Sequence, residues 1–385
     1  LEQKPYIITG MPRSGTTLIS RILDAHPNSI APPDPYFGFF REFRNALFEE
    51  LGIDYNKEEP LHDYFYGNNT HKKHAIMNAK LEIPLNRNLD NIKDTINSFA
   101  ETSSPLVIPY VKKIEADDYK SLLLALYRAL KNAYGDNSTT HIGFKTAWIE
   151  EFFHPLYQSL NEMKFVQIIR DPRSLIASRL KSTQNLRHDY PLDFLVKNWR
   201  KSVLYGMYNA KYYSDNVYVV KYEDLVTNTK EEVKKICRFL ELEYNEKMVD
   251  ISSFRDGKGN TWTNNSAYKD TNTISSDFIN KWMDVLTANE VQYIEDLCNF
   301  EMMYYGYNRI TKNNIQRSAF QSLNKDSHES DWINQMDKPI QMSEAELLKY
   351  HVYNDPELDK YSNEFLEKLF LFPEIPDIAD EPKVR

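Results

Sequence analysis

The stretch Gly10-Met-Pro-Arg-Ser-Gly-Thr-Thr17 carries the densest chemistry in the chain. Two glycines at this spacing allow tight turns, so successive backbone N–H groups can converge on one anion. Ser14, Thr16 and Thr17 add hydroxyl donors, and Arg13 adds a cation. The glycine spacing matches the ATP-binding pattern G-x-x-x-x-G-K-[ST], but Thr16 stands where that pattern has lysine. A nucleotide kinase or NTPase needs the lysine on the β- and γ-phosphates and a hydroxyl-bound Mg²⁺. The loop therefore reads as a cradle for a 5′-phosphate without metal. A second segment, Arg170-Asp-Pro-Arg-Ser-Leu-Ile-Ala-Ser178, places Arg170 at the end of the strongest predicted strand, with Ser178 about two helical turns on. Arg plus Ser there suits a second phosphate, away from the first.

These residues need elements to hold them. Residues 5–9 read as a buried strand and TLISRILDA as the helix that follows the loop, ended by His26-Pro27. Asn28–Ala31 read as a second short strand that runs parallel beside the first. Its carboxyl end would return Asp34, inside Pro-Pro-Asp-Pro, to the Gly10–Thr17 loop. Tyr36-Phe37-Gly38-Phe39-Phe40 opens an aromatic-rich helix, read as core rather than as an acceptor pocket. Residues 52–114 show no clear periodicity and are assigned no core role. Further along, THIGFK is a strand ending at Lys145, KFVQII a strand, and DPRSLIASRLKS a helix with Pro172 in its first turn. A long helix covers about 190–213, NVYVVKY is a strand, and TKEEVKKICRFLEL an amphipathic helix. Strands alternating with helices predict an α/β, P-loop-type three-layer fold with a central parallel sheet. In such sheets ligands bind at the carboxyl ends of the strands.

Composition excludes several classes. Of 385 residues, 41% are hydrophobic and 27% charged, ordinary for a globular protein. The net charge of −9 disfavours nucleic acid, which needs a basic face. Cys237 and Cys298 are too few for a disulfide framework or a cysteine metal site, and their apolar settings read as buried thiols. No run of 18 apolar residues is present, and little chain precedes the first strand, so the expectation is a soluble, cytoplasmic protein. The sequons at Asn68, Asn137 and Asn264 read as accidental. From Ser318 onward seven basic residues face fifteen acidic ones, nearly the whole net charge. The expected organisation is a domain over 1–310, with a helical insertion around 35–139, and an acidic extension over 311–385.

GMPRSGTTL resembles the 5′-phosphosulfate loop of the sulfotransferases that use 3′-phosphoadenosine 5′-phosphosulfate (PAPS), and RDPRSLIAS resembles their 3′-phosphate motif. PRSGTTLISRILDAHP is especially similar to the tyrosylprotein sulfotransferases and their bacterial relatives. VVKYEDLV and the later INKW match further landmarks, and the resemblance covers about residues 5–310. It implies PAPS as donor and adenosine 3′,5′-bisphosphate (PAP) as product, with no metal. Arg13, Ser14, Gly15, Thr16 and Thr17 would hold the 5′ end, and Arg170 and Ser178 the 3′-phosphate. Tyr222 and Ser266 would also touch the nucleotide, and Arg255-Asp-Gly-Lys258 could add cations.

The implied reaction is sulfuryl transfer to a hydroxyl acceptor, with nucleophile and leaving group in line. Arg13 and Lys145 would neutralise charge, as a strand-end lysine does in the related enzymes. Asp34 is the choice for general base, at a position where the tyrosylprotein enzymes have Glu. His26 lies at the far end of its helix, and His141, His154 and Glu150 are weaker candidates. The acceptor would be a small molecule, sugar, lipid or phenol, with a peptide tyrosine less expected in an acidic chain with two thiols. The competing readings are a P-loop kinase or NTPase and a non-catalytic nucleotide-binding protein.

Overall fold

The computed structural model describes residues 2–55, 57, 70–85, 88–181, 192–262, 274–312, 348, 351–352, 355, 357 and 360–374. The strands are β1 (Lys4–Thr9), β2 (Ser29–Ile30), β3 (His141–Lys145), β4 (Lys164–Ile169) and β5 (Val217–Lys221). The helices up to β4 are α1 (Thr16–Asp24), α2 (Phe37–Leu51), α3 (Thr70–Met77), α4 (Leu89–Ser103), α5 (Ile108–Val111), α6 (Tyr119–Tyr134) and α7 (Phe153–Ser159). Beyond it come α8 (Pro172–Lys181), α9 (Leu192–Tyr212), α10 (Tyr222–Thr227), α11 (Thr229–Leu240), α12 (Ala288–Leu297), α13 (Asn299–Tyr304) and α14 (Asn363–Leu369). They fall into two compact units of interleaved segments. One comprises Leu1–Lys57, His74–Ile169 and Tyr213–Ser276, the other Glu58–Lys73, Arg170–Tyr212 and Asp277–Arg385.

The first unit holds a five-stranded sheet in the order β2-β3-β1-β4-β5, every pairing parallel. Period-2 alternation splits its apolar residues between two faces. Ile8, Val166, Ile168 and Val220 pack with Ile19, Ile22 and Leu23 of α1 and Val233, Ile236 and Leu240 of α11. On the opposite face, Phe144 meets Tyr36, Phe40 of α2 and Tyr127 of α6, while Phe165 meets Phe153 of α7 at 5.2 Å. Helices thus cover both faces, giving the expected three layers. The Tyr36–Phe40 stretch is core: Tyr36, Phe39 and Phe40 are buried.

Two expectations are corrected. β2 pairs with β3 and not with β1, because β3 is inserted between them. A two-residue strand carries too little pattern to choose its neighbour. Residues 52–114 also contribute to the core: Ile92, Ile96 and Ala100 of α4, with Val107 and Val111, are buried. Those three α4 positions share one helical face, but polar residues between them mask the period.

In the second unit, Arg200 of α9 pairs with Glu301 of α13 at 2.8 Å, both buried. Arg173 of α8 holds Asp171 and Glu295, each at 2.5 Å, and stacks on Trp282 at 4.4 Å. Phe372 packs on Tyr205 and Tyr208 of α9, and Lys73 Nζ donates to the Leu371 carbonyl at 2.6 Å. Cys237 and Cys298 are buried free thiols. Among the described residues, no helix is long and apolar enough to cross a membrane.

Candidate active site

β1 runs directly into the Gly10–Thr17 loop, and α1 leaves it. The backbone is left-handed at Gly10 (φ 143°), Arg13 (φ 76°) and Gly15 (φ 106°). Only glycine adopts such angles freely; Arg13 is held there by its neighbours. Ser14 closes the turn, donating its N–H and hydroxyl to the Met11 carbonyl at 3.1 and 2.6 Å. Gly15 caps α1 with no side-chain bond to the helix end. The first N–H groups of α1 therefore face the loop, the arrangement that favours an anion. A methyl at Gly15 would lie 2.6 Å from the ring of Tyr222, so that ring closes over the loop from the start of α10. Sequence placed Tyr222 in a strand; it is the first residue of a helix, with its ring against Gly15.

One strand away, Lys145 and Asp34 form an ion pair. Lys145 is buried and Asp34 more open, with side chains 7% and 37% exposed. Both are tied to the loop's base by backbone. The Asp34 N–H donates to the Lys145 carbonyl at 2.5 Å, and Thr146 N–H to the Ile8 carbonyl at 3.0 Å. Trp148, left-handed at φ 63°, donates its N–H to the Gly10 carbonyl at 3.2 Å. Although β2 is not beside β1, its extension carries Asp34 onto the end of β3, and β3 lies beside β1. The carboxylate and the ammonium thus sit at the carboxyl end of the sheet, where the loop begins.

Arg170 and Ser178 lie in the second unit, and both are buried. The Arg170 carbonyl accepts the Trp199 indole N–H at 2.8 Å, and its guanidinium donates to the Phe278 carbonyl at 3.4 Å. Asp171, where an NTPase places a metal-binding carboxylate, instead accepts three bonds from Arg173 at 2.5–3.0 Å. Ser266 lies outside the described residues. Arg255 and Lys258 are exposed on a tight turn, and the Arg255 guanidinium donates to the carbonyls of Ser252 and Phe254 just before it.

His26 and His141 stand elsewhere. His26 ends α1, its Nδ1 accepting the Asn28 N–H at 3.0 Å, and burial lowers its pKa. His141 begins β3, at the opposite end from Lys145, and its Nε2 meets the Leu240 carbonyl at 3.0 Å. A cavity of about 440 Å³ opens at that opposite end, lined by Tyr6, His141, Lys164 and Glu241 among others. Of the residues singled out from sequence, His141 lines it, while Asp34, Lys145, the Gly10–Thr17 loop, Arg170, Ser178 and Tyr222 do not. Ser103, Ser104 and Trp148, which brace the site, were not singled out from sequence. Among the described residues, no cluster of three or more His, Cys, Asp or Glu side chains is arranged to hold a metal ion.

Comparison with known proteins gives the family. The profile described as the sulfotransferase family matches residues 5–246, more than half of the chain. The chain belongs to the sulfotransferase family. Carbohydrate sulfotransferase 1 of Danio rerio is 25% identical over 194 residues, which are 44% of this chain and 45% of that protein. The chain thus spans less than half the length of the curated relative it matches. Similar solved structures include the sulfotransferase domain of the Synechococcus PCC 7002 olefin synthase (18% identity, 76% of this chain and 94% of that one, TM-score 0.39). The sulfotransferase domain from the curacin biosynthetic pathway (16%, 78% and 98%, 0.43) and a mouse sulfotransferase complexed with PAP (13%, 78% and 84%, 0.40) are also similar.

Proposed function

We propose that this sulfotransferase transfers a sulfuryl group from PAPS to a hydroxyl acceptor, without metal. The observation that carries the reading is the Asp34–Lys145 pair, hydrogen-bonded through β3 to the base of a left-handed glycine loop that lacks the kinase lysine. Family membership supports the class of reaction.

The residues fit the donor. Backbone N–H groups of the loop and the hydroxyls of Ser14, Thr16 and Thr17 would hold the 5′-phosphosulfate, with Tyr222 closing over Gly15. Arg170 and Ser178 would hold the 3′-phosphate; a buried guanidinium at the start of a helix suits a doubly charged group. Ser266, Arg255 and Lys258 are further candidates for the nucleotide. When bound, PAPS supplies the activated sulfuryl group. Arg13 and Lys145 lower the cost of negative charge on the transferred group and the departing phosphate. Asp34 accepts the acceptor's proton at its carboxylate as the new S–O bond forms. Lys145 holds that carboxylate at the carboxyl end of the sheet through their ion pair. The acceptor is a small molecule or glycan hydroxyl; the match to a carbohydrate enzyme supports testing sugars first.

Thermal unfolding tests the donor site. PAP in EDTA should raise the midpoint by a few degrees, since ligand at 100 times its Kd adds about 2.7 kcal/mol. The rise should vanish in Arg170→Ala. A rise only with ATP and Mg²⁺ would overturn the reading in favour of a kinase. Radiolabelled PAPS offered with N-acetylglucosamine, octyl glucoside, 2-naphthol and a tyrosine peptide then ranks the acceptors.

A further inference from the structure

Asp34 sits in a backbone conformation that a free chain avoids. Its φ is 46°, in the left-handed region, between Pro33 and Pro35. Such residues persist when their surroundings over-determine them. Pro32, Pro33 and Pro35 carry no N–H, so within this segment only Asp34 can donate a backbone hydrogen bond. That bond goes to Lys145, and the Pro32 carbonyl accepts the Lys145 N–H at 3.0 Å in return. The Pro33 and Asp34 carbonyls point elsewhere. β2 is the edge of the sheet, so among the described residues its outer side meets no strand.

Two serines at the end of α4 meet that side. The Ser104 hydroxyl donates to the Pro33 carbonyl at 2.6 Å, and the Ser103 hydroxyl, shared with the Phe99 carbonyl at 3.4 Å, reaches the Asp34 carbonyl at 3.3 Å. Ser104 is fully buried and stands just before Pro105, where a serine normally caps the next turn. It makes no such cap bond; its hydroxyl is spent on Pro33. The serines are themselves pinned. Gly257 packs so close that a Cβ would lie 1.8 Å from the Ser103 carbonyl oxygen, and the Tyr134 hydroxyl donates to the Gly257 carbonyl at 2.8 Å.

We propose that Ser104, with Ser103, is a positioning residue for Asp34: the pair clamps Pro33 and Asp34 from outside while β3 holds them from inside. The clamp fixes the left-handed turn that presents the carboxylate to Lys145. It acts through backbone and touches neither donor nor acceptor. The inference rests on the reading of Asp34 as the base.

The test is Ser104→Ala, with Ser103→Ala as a second variant should the first fold poorly. Its crystal structure should show Asp34 leaving the left-handed region and its pair with Lys145 loosened; an unchanged Asp34 would overturn the proposal. With PAPS and the best acceptor, kcat should fall between about two- and tenfold, one hydrogen bond's worth, while the Kd of PAP stays unchanged. The same change made in an Asp34→Glu enzyme, whose longer carboxylate no longer depends on that turn, should cost less. An equal loss in both backgrounds would mark Ser104 as merely structural and overturn the proposal. An Asp34→Asn enzyme of undiminished rate would sink the base reading itself, whatever Ser104→Ala does to the geometry.

Discussion

Asp34→Asn separates catalysis from structure most cleanly. Asparagine keeps the shape, the left-handed tolerance and one acceptor oxygen, but loses the charge and the basicity. The rate loss follows from the role: a positioned general base contributes about 10²–10⁴-fold. That corresponds to roughly 3–5 kcal/mol of barrier. The stability loss follows from burial. Lys145 is 7% exposed and Asp34 37%, so the pair lies between an exposed pair and a buried one. Exposed pairs contribute about 0–1 kcal/mol, and breaking a buried pair costs about 3–5. Because Asn still accepts a bond from Lys145, about 1 kcal/mol is expected, or a Tm fall of roughly 1–2 °C. PAP affinity should hold or rise, since Lys145 then lacks its anionic neighbour. The assay pairs PAP release at saturating acceptor with a melting curve and PAP titration of the same protein. A variant that keeps more than about one-tenth of the wild-type kcat refutes the assignment of Asp34 as base. So does a collapsed Tm, because the rate loss would then report unfolding.

Gly15→Ala should strain a backbone at φ 106° and drive a methyl into Tyr222, costing about 1–3 kcal/mol from the backbone alone. PAP binding should weaken with it, and Tyr222→Ala should restore part of the lost Tm; no restoration would mean that the ring does not close on the loop. Burial lowers the pKa of His26 and His141, so the unfolded chain takes up protons first as pH falls. Stability should be complete above about pH 6.5 and decline below it. A urea midpoint whose fall between pH 7.5 and 5.5 is the same in a His26→Asn, His141→Asn double variant would rule these two out as its source.

The parts of this molecule that were legible in its sequence are those whose cause is local. β1, the loop and α1 could be read because the apolar run, the paired glycines and the helical spacing of Ile19, Ile22 and Leu23 lie within one short stretch. The parallel sheet followed from the alternation of strands and helices. Its order did not. Ser29–Ile30 is too short to choose between β1 and β3, and the choice is made by which neighbour's edge is free once the chain has returned through α6. The core role of α4 was hidden because polar residues, two of them (Lys93 and Asn97) themselves buried, stand among its apolar core positions Ile92, Ile96 and Ala100. Tyr222 was singled out, but its place against Gly15 depends on the strand ending one residue early.

The site divides along the same line. The proposed anion cradle is written into eight consecutive residues, Gly10–Thr17, whose turn is local in cause. The candidate base is different in kind. Nothing near Asp34 in sequence satisfies the Pro33 and Asp34 carbonyls, since the flanking prolines remove the local donors. Their partners come from about seventy residues away, at Ser103 and Ser104. Those are braced in turn by Gly257 and Tyr134. A serine before a proline reads as a helix cap, and that reading fails here because the stronger demand for its hydroxyl is tertiary. Pro-Pro-Asp-Pro thus gains rigidity by giving up donors, and that loss makes the acid's geometry depend on distant hydroxyls. Changes to α4 should therefore alter turnover while leaving the phosphate-binding loop intact.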